Sequence, residues 1–149
     1  MLLKFKDNQT AHNDLLFTFN GRVKKCDSYY FALDRNLAVE EESQEKIRKV
    51  LKRLLEQWLE SVNISDSGSF LYLPYDFSDE YIGCLRCEVS DSFLLLTDGY
   101  LNVGGYCYFP SDVGELIKTN SDFTATDQSS VEIHKQEFTR QLKENIENV

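Results

Sequence analysis

The chain has 149 residues, 42% hydrophobic, 28% charged and 13% aromatic, with a formal net charge of −9. That length suits one domain, 1–149, which buries roughly 70% of its unfolded surface and needs no disulfide or metal staple. The acidic balance disfavours nucleic-acid phosphates as partners, and no apolar run approaches the ~18–20 residues of a membrane span. The start, Met1-Leu2-Leu3-Lys4-Phe5-Lys6-Asp7, alternates apolar and polar residues and carries no signal-peptide core. A cytosolic protein is expected, with Cys26, Cys84, Cys87 and Cys107 as buried free thiols that pack like small hydrophobes.

Leu3 and Phe5 alternate with Lys4 and Lys6, the period of a strand. Leu15-Leu16-Phe17-Thr18-Phe19 and Arg22-Val23-Lys24 flank Asn20-Gly21, a pair suited to a type I′ hairpin turn. Tyr29-Tyr30-Phe31-Ala32-Leu33 reads as a further strand or strand-like segment. A long helix follows over about Val39 to Val62. Ile47, Val50, Leu51, Leu54, Leu55, Trp58, Leu59 and Val62 repeat at the spacing of one apolar face. Glu40, Glu41 and Glu42 sit in its first turns, where negative charge favours the helix dipole. Glu42–Lys46 and Glu45–Lys49 form i,i+4 pairs, and Asn63 to Gly68 makes the turn that ends the helix.

Strand patterns return from Ser69 to Phe109. Phe70-Leu71-Tyr72-Leu73 and Cys84 to Val89 are two runs. Phe93 to Thr97 and Tyr100 to Val103 flank Asp98-Gly99, a second hairpin signal. Gly104-Gly105 suggests a bulge before Tyr106-Cys107-Tyr108-Phe109, and Pro110-Ser111-Asp112 opens a short helix through Ile117. Phe123 to Ala125 and Val131 to Ile133 are weaker strands. Phe138, Leu142 and Ile146, four apart, mark a C-terminal helix. The order argues for an α+β fold: an antiparallel sheet with the long amphipathic helix and the C-terminal helix packed on one face.

Chemistry is harder to find. Cys84-Leu85-Arg86-Cys87 has CxxC spacing, but strand residues three apart point to opposite faces, and no second CxxC or HxxxH supplies further zinc ligands. Cys26 and Cys107 would complete four thiolates only if the fold gathered them. His12, near Asp14, and His134, near Glu132 and Glu137, lack a nucleophile or a Gly-rich phosphate loop and read as surface histidines. Asp79-Glu80 would serve as an acid/base pair only in a pocket that separated their pKa values. No catalytic residue, metal or cofactor is expected. The lysines and arginines of the long helix, Lys46 to Arg53, are interleaved with glutamates as on a solvated face.

The excess charge is local. Residues 66–117 hold nine acidic side chains against one basic, Arg86, together with ten aromatics. Tyrosine offers contact area at low entropy cost, and uncompensated carboxylates speed association with a basic partner. The stretch Pro74-Tyr75-Asp76-Phe77-Ser78-Asp79-Glu80-Tyr81 joins both properties and reads as a loop too polar for a core strand. Tyr72, Tyr75, Asp76, Asp79, Glu80, Tyr81, Asp91, Asp98 and Tyr100 are the candidate partner-binding residues. The competing reading makes the aromatics core and the acids a solubilising surface.

In size, acidity and tyrosine-rich character the chain resembles immunity proteins of contact-dependent growth-inhibition and related polymorphic toxin systems. The residues that suggest it are Glu56-Gln57-Trp58-Leu59, Leu73-Pro74-Tyr75-Asp76-Phe77-Ser78-Asp79 and Gly104-Gly105-Tyr106-Cys107-Tyr108-Phe109-Pro110-Ser111. The resemblance implies tight, non-catalytic binding to a cognate toxin domain, often a basic nuclease. Carboxylates of 66–117 would pair with the toxin's lysines and arginines. The alternatives are a nucleic-acid mimic that blocks a DNA-binding enzyme, and a small hydrolase with a carboxylate site.

Overall fold

The computed structural model describes residues 1–10, 12–37, 42–118 and 122–149, with side chains omitted at 127–129. The α+β expectation holds, but the strands form two antiparallel sheets instead of one. The first comprises β1 (Leu2–Phe5), β2 (Leu15–Phe19) and β3 (Arg22–Cys26) in sequential order. Alternation buries Leu3, Phe5, Leu15, Phe17 and Phe19. Asn20 and Gly21 have φ of +49° and +73°, the left-handed conformation that a type I′ turn demands at both central positions.

Tyr29–Leu33 is not a strand; it is a short helix, α1. The cause lies outside the segment. The buried Asp14 carboxylate accepts the Ser28 backbone N–H at 2.9 Å and its hydroxyl at 2.7 Å. The Ser28 carbonyl then accepts the amides of Phe31 and Ala32, which starts the helix. Phe31 packs edge-on to Phe77 with ring centroids 5.7 Å apart, and Tyr29 is left exposed. Tertiary hydrogen bonding overrides the β propensity of the sequence.

Helix α2 spans Gln44–Ile64. It begins later than its periodicity suggests because the Ser43 side chain accepts the Lys46 N–H at 3.1 Å and caps the first turn. Val39, Glu40 and Glu41 lie outside the described residues, and Glu42 precedes the cap. Ile47, Val50, Leu51, Leu54, Leu55, Trp58 and Val62 form the buried face, as their spacing requires. Glu45 and Lys49 pair at 3.2 Å. No helix among the described residues is long and apolar enough to cross a membrane.

The second sheet orders β4 (Phe70–Phe77), β5 (Tyr81–Val89), β6 (Phe93–Asn102) and β7 (Phe123–His134) as neighbours. Strand β4 continues through Pro74, Tyr75 and Asp76, so the expected loop over 74–81 shrinks to a turn at 78–80. A register shift between Pro74 and Asp76 against β5 absorbs the proline. Likewise Asp98-Gly99 is not a hairpin turn, because β6 continues through it, with a register shift against β7 between Thr97 and Gly99. Gly99 serves a close approach: a Cβ there would lie 2.2 Å from the Thr124 carbonyl oxygen and 2.5 Å from the Phe123 ring. The turn comes later, at Gly104 and Gly105 with φ of +57° and +86°, and Tyr106 to Phe109 does not pair as a strand. The two weak strands beyond it are one strand, β7.

Helix α3 (Gly114–Lys118) and helix α4 (Lys135–Glu147) complete the fold. Phe138 and Leu142 of α4 are buried and Ile146 packs against the core. Asn145 pairs with the backbone of β1, donating to the Leu3 carbonyl at 2.9 Å and accepting the Leu3 N–H at 2.8 Å. That amide closes a strand edge that would otherwise leave buried polar groups unpaired. Gln57 of α2 accepts the Val113 N–H at 2.8 Å and donates to the Pro110 carbonyl at 3.0 Å. The buried Asp34 carboxylate accepts the Ser111 N–H and hydroxyl at 2.9 and 2.8 Å. Segment 110–113 is thereby held against α2 and the end of α1.

Substituting Gly99→Ala is expected to destabilise the fold by roughly 1–3 kcal/mol through overpacking against β7. Gly114→Ala, where an added Cβ meets nothing within 4 Å, serves as control. Urea unfolding of the two variants makes the comparison. Equal midpoints for Gly99→Ala and wild type would contradict the close approach of β6 and β7.

Candidate protein-binding surface

The turn between β4 and β5 is fastened at both ends of its backbone. Ser78 N–H donates to the Tyr81 carbonyl at 3.1 Å, and the Ser78 hydroxyl accepts the Tyr81 N–H at 3.1 Å. The carbonyls of Asp79 and Glu80 accept the amides of Gly105 and Val103 at 3.2 and 3.1 Å, which ties this turn to the glycine turn after β6. With their backbone groups so engaged, the Asp79 and Glu80 carboxylates project into solvent. From α1, the Tyr30 hydroxyl donates to Asp79. Burial first, and then this bond to a carboxylate, push the Tyr30 hydroxyl pKa up.

Four tyrosines of these elements stay open: Tyr29, next to Tyr30 on α1, at 47%, Tyr81 at 47%, Tyr100 at 40% and Tyr106 at 74% exposure. Tyr81 pairs with Asn102 and Gly83 with Tyr100 across the β5–β6 ladder. Gly83 has no side chain to offer Tyr100, so Tyr100 meets Tyr81 on the diagonal. Their ring centroids are 5.9 Å apart at an interplanar angle of 63°. Tyr29 stands edge-on to Tyr30 at 5.6 Å and lies parallel to the His12 ring at 6.4 Å. The His12 partner is Asp27, at 3.0 Å, and not the neighbouring Asp14, whose carboxylate is buried on Ser28.

Asp79, Glu80, Tyr81 and Tyr100 therefore come together as the sequence suggests, and the others do not. Tyr72 and Tyr75 are core residues, 5% and 2% exposed. The Tyr75 ring stacks on Phe17 of the first sheet at 3.9 Å. Its hydroxyl donates to Asp98 at 2.6 Å and accepts from the Lys24 ammonium at 3.0 Å, while Lys24 also pairs with Asp98. Asp98 is thus neutralised inside the fold. Asp76 is half-buried beside Asp27. Burial, the largest cause, and then the charge of Asp27 push its carboxyl up to about 6, opposed by the Asp27 backbone N–H and by Lys24. Asp91 sits in the turn joining β5 to β6, at the far end of the ladder from Tyr81. At ~3.3 Å per residue that end is on the order of 25 Å away. Arg86 of that region is internally engaged, paired with Glu88 at 3.0 Å and lying against the rings of Phe70 and Phe123.

Tyr29, Tyr30 and Asp27 were not among the sequence candidates. The Asp27-Ser28-Tyr29-Tyr30 run held their signal, but a period-two reading placed both tyrosines in a strand. The thiols divide. Cys26, Cys84 and Cys87 are buried, whereas Cys107 is exposed, contrary to the expectation that all four are buried. Burial pushes the Cys87 thiol up to about 12, and Cys26 and Cys84 higher still, so none of these three is a ready nucleophile. Among the described residues no group of three His, Cys, Asp or Glu side chains is placed to hold a metal ion.

No protein-family model matches the chain, and no curated protein matches it in sequence. A solved structure described as the CdiA-CT/CdiI toxin and immunity complex from Enterobacter cloacae is similar in fold, with a TM-score of 0.48 and 10% identity. The likeness covers 91% of this chain and 86% of that one.

The Asp76 carboxyl has a definite pH signature. Its folded pKa of about 6 exceeds the ordinary 3.8, so the folded chain binds the extra proton. Its contribution is fully present below the ordinary value and is lost as pH rises through about 6. Asp76→Asn, which keeps an acceptor for the Asp27 N–H, is expected to stabilise the fold by roughly 1–3 kcal/mol at pH 7.5. The gain should vanish near pH 4. Urea unfolding at the two pH values checks this, and a variant no more stable than wild type at pH 7.5 would contradict it.

Proposed function

We propose that this protein is a binding inhibitor: an immunity protein that neutralises a cognate basic toxin domain by covering its functional surface. One observation carries the reading. Asp79 and Glu80 lie exposed beside Tyr81, Tyr100 and the turn that carries Tyr106, and no ion pair among the described residues reaches either carboxylate. Open tyrosines supply rigid contact area, and free carboxylates steer a cationic partner onto them. That surface, and not the likeness to the Enterobacter cloacae complex, supports the proposal.

Occlusion follows from these chemical types. Lysines and arginines that a nuclease would turn toward nucleic acid would meet Asp79 and Glu80, and tyrosines would exclude water around the pairs. Desolvated charge pairs of this kind gain strength from the lowered dielectric. A nucleic-acid mimic would need carboxylates spaced like phosphates along one face. Here Asp98 is held by Lys24 and Asp91 lies at the opposite end of the ladder, an arrangement that favours a compact protein interface.

The test is charge reversal, read out against the basic toxin domain proposed as partner. Asp79→Lys with Glu80→Lys is expected to slow association roughly ten-fold or more and to abolish growth protection, with circular dichroism unchanged. Asp91→Lys should leave both at the wild-type level. Loss through Asp91→Lys, or full activity in the double variant, would contradict the assignment.

A further inference from the structure

We infer that the groove between Tyr81 and Tyr100 is a guanidinium subsite, built to receive an arginine side chain of the protein partner. The inference rests on the proposed function and deepens it by naming the group recognised. The groove has a volume of about 360 Å³ and is lined by Glu80, Tyr81, Tyr100, Asn102, Gly104 and Gly105.

Two features select a cation, and the chemistry of guanidinium suits it to both. The tyrosine rings pack edge to face at 63° with centroids 5.9 Å apart, so a cation seated in the groove beside them lies against the negative π-cloud of an open ring face. Glu80 supplies the full negative charge, and the lining contains no basic side chain to offset it. Gly104 and Gly105 carry no side chains, and a Cβ at either would meet nothing within 4 Å. That leaves a clear entrance on one side of the rings. Asn102 is not a free amide: its Oδ1 accepts the Gly104 N–H at 3.0 Å and holds the glycine turn in place. Guanidinium is planar, weakly hydrated and always charged, so it stacks on an aromatic face while its edge donates to a carboxylate. A lysine ammonium, more strongly hydrated, would give up more solvation to enter.

The groove also explains why two half-exposed tyrosines stand as a pair on the surface. Residues opposite each other across a ladder usually fill the space between strands. Here Gly83 offers Tyr100 no side chain, because Asp76 and the Tyr75 ring crowd the place a Cβ would take, and Tyr100 packs on the diagonal Tyr81 instead.

The experiment needs no partner protein. The ¹⁵N-labelled protein is titrated with N-acetyl-arginine amide, following the Gly104 and Gly105 amide resonances. Its neutral isostere N-acetyl-citrulline amide is run in parallel. Saturable binding of arginine in the millimolar range is expected, with citrulline weaker by roughly ten-fold. Tyr81→Leu and Tyr100→Leu should each weaken arginine roughly five-fold, as should Glu80→Gln, whereas Tyr81→Phe keeps the ring and should bind like wild type. Both rings are half-exposed, so these variants should retain dispersed spectra. Citrulline within two-fold of arginine, or unchanged affinity after both leucine substitutions, would overturn the subsite. Such a failure would leave the charge-reversal result at Asp79 and Glu80 to be judged separately.

Discussion

The fold turns on the contact made by Tyr75. Its ring lies flat on Phe17 of the first sheet, and its hydroxyl stands between Lys24 of β3 and Asp98 of β6. One side chain therefore joins both sheets through packing and through a charge pair that is mostly shielded from water. Such a pair persists only when hydrogen bonds compensate for its lost hydration, and here the phenol supplies one to each partner. The same contact decides the electrostatics of the surface. It withdraws Asp98 and Tyr75 from solvent, while among the described residues Asp79, held by the Tyr30 hydroxyl, and Glu80 carry no ion pair beside the exposed rings.

Buried polar side chains do the remaining positioning. Asp14 bonds Ser28 and so starts α1, which delivers Tyr30 to Asp79. Asp34 and Gln57 hold 110–113, the far anchor of the segment that carries Gly105 and Tyr106. Asn145 closes the edge of β1. Each bond replaces water at a backbone group that would otherwise be costly to bury. The exposed tyrosines are thus presented by strands, a short helix and a turn that are themselves pinned to the core, a pre-organisation that lowers the entropy lost on binding.

Elements whose pattern is set locally were legible in the sequence. The apolar face of α2, the Asn20-Gly21 turn and the Phe138, Leu142, Ile146 stripe each follow from spacing or from backbone conformation, and each stands where expected. What failed was set by distant partners. Ser28 turns Tyr29–Leu33 helical because Asp14 holds it. Asp98-Gly99 resembles a hairpin, yet Gly99 is needed for the approach of Phe123 and Thr124. Pro74-Tyr75-Asp76 looked too polar for a strand, because the partners that bury Tyr75 lie on β2, β3 and β6. The same cause divides the candidate site. Composition counts acids and tyrosines in one segment, but β4 is covered on both faces, which buries Tyr72 and Tyr75 alike, and pairing puts Asp91 at the opposite end.

What results is a small acidic protein with one end of a sheet dressed in tyrosine and carboxylate. A binding role asks nothing more of it than rigidity, charge and contact area. The most direct test of that proposal is hydrogen–deuterium exchange on the protein free and saturated with the basic toxin domain proposed as its partner. The account predicts slowed exchange at 78–81 and 100–106, with 90–92 unchanged. Protection confined to 90–92, or spread over the sheet without reaching the tyrosines, would contradict it.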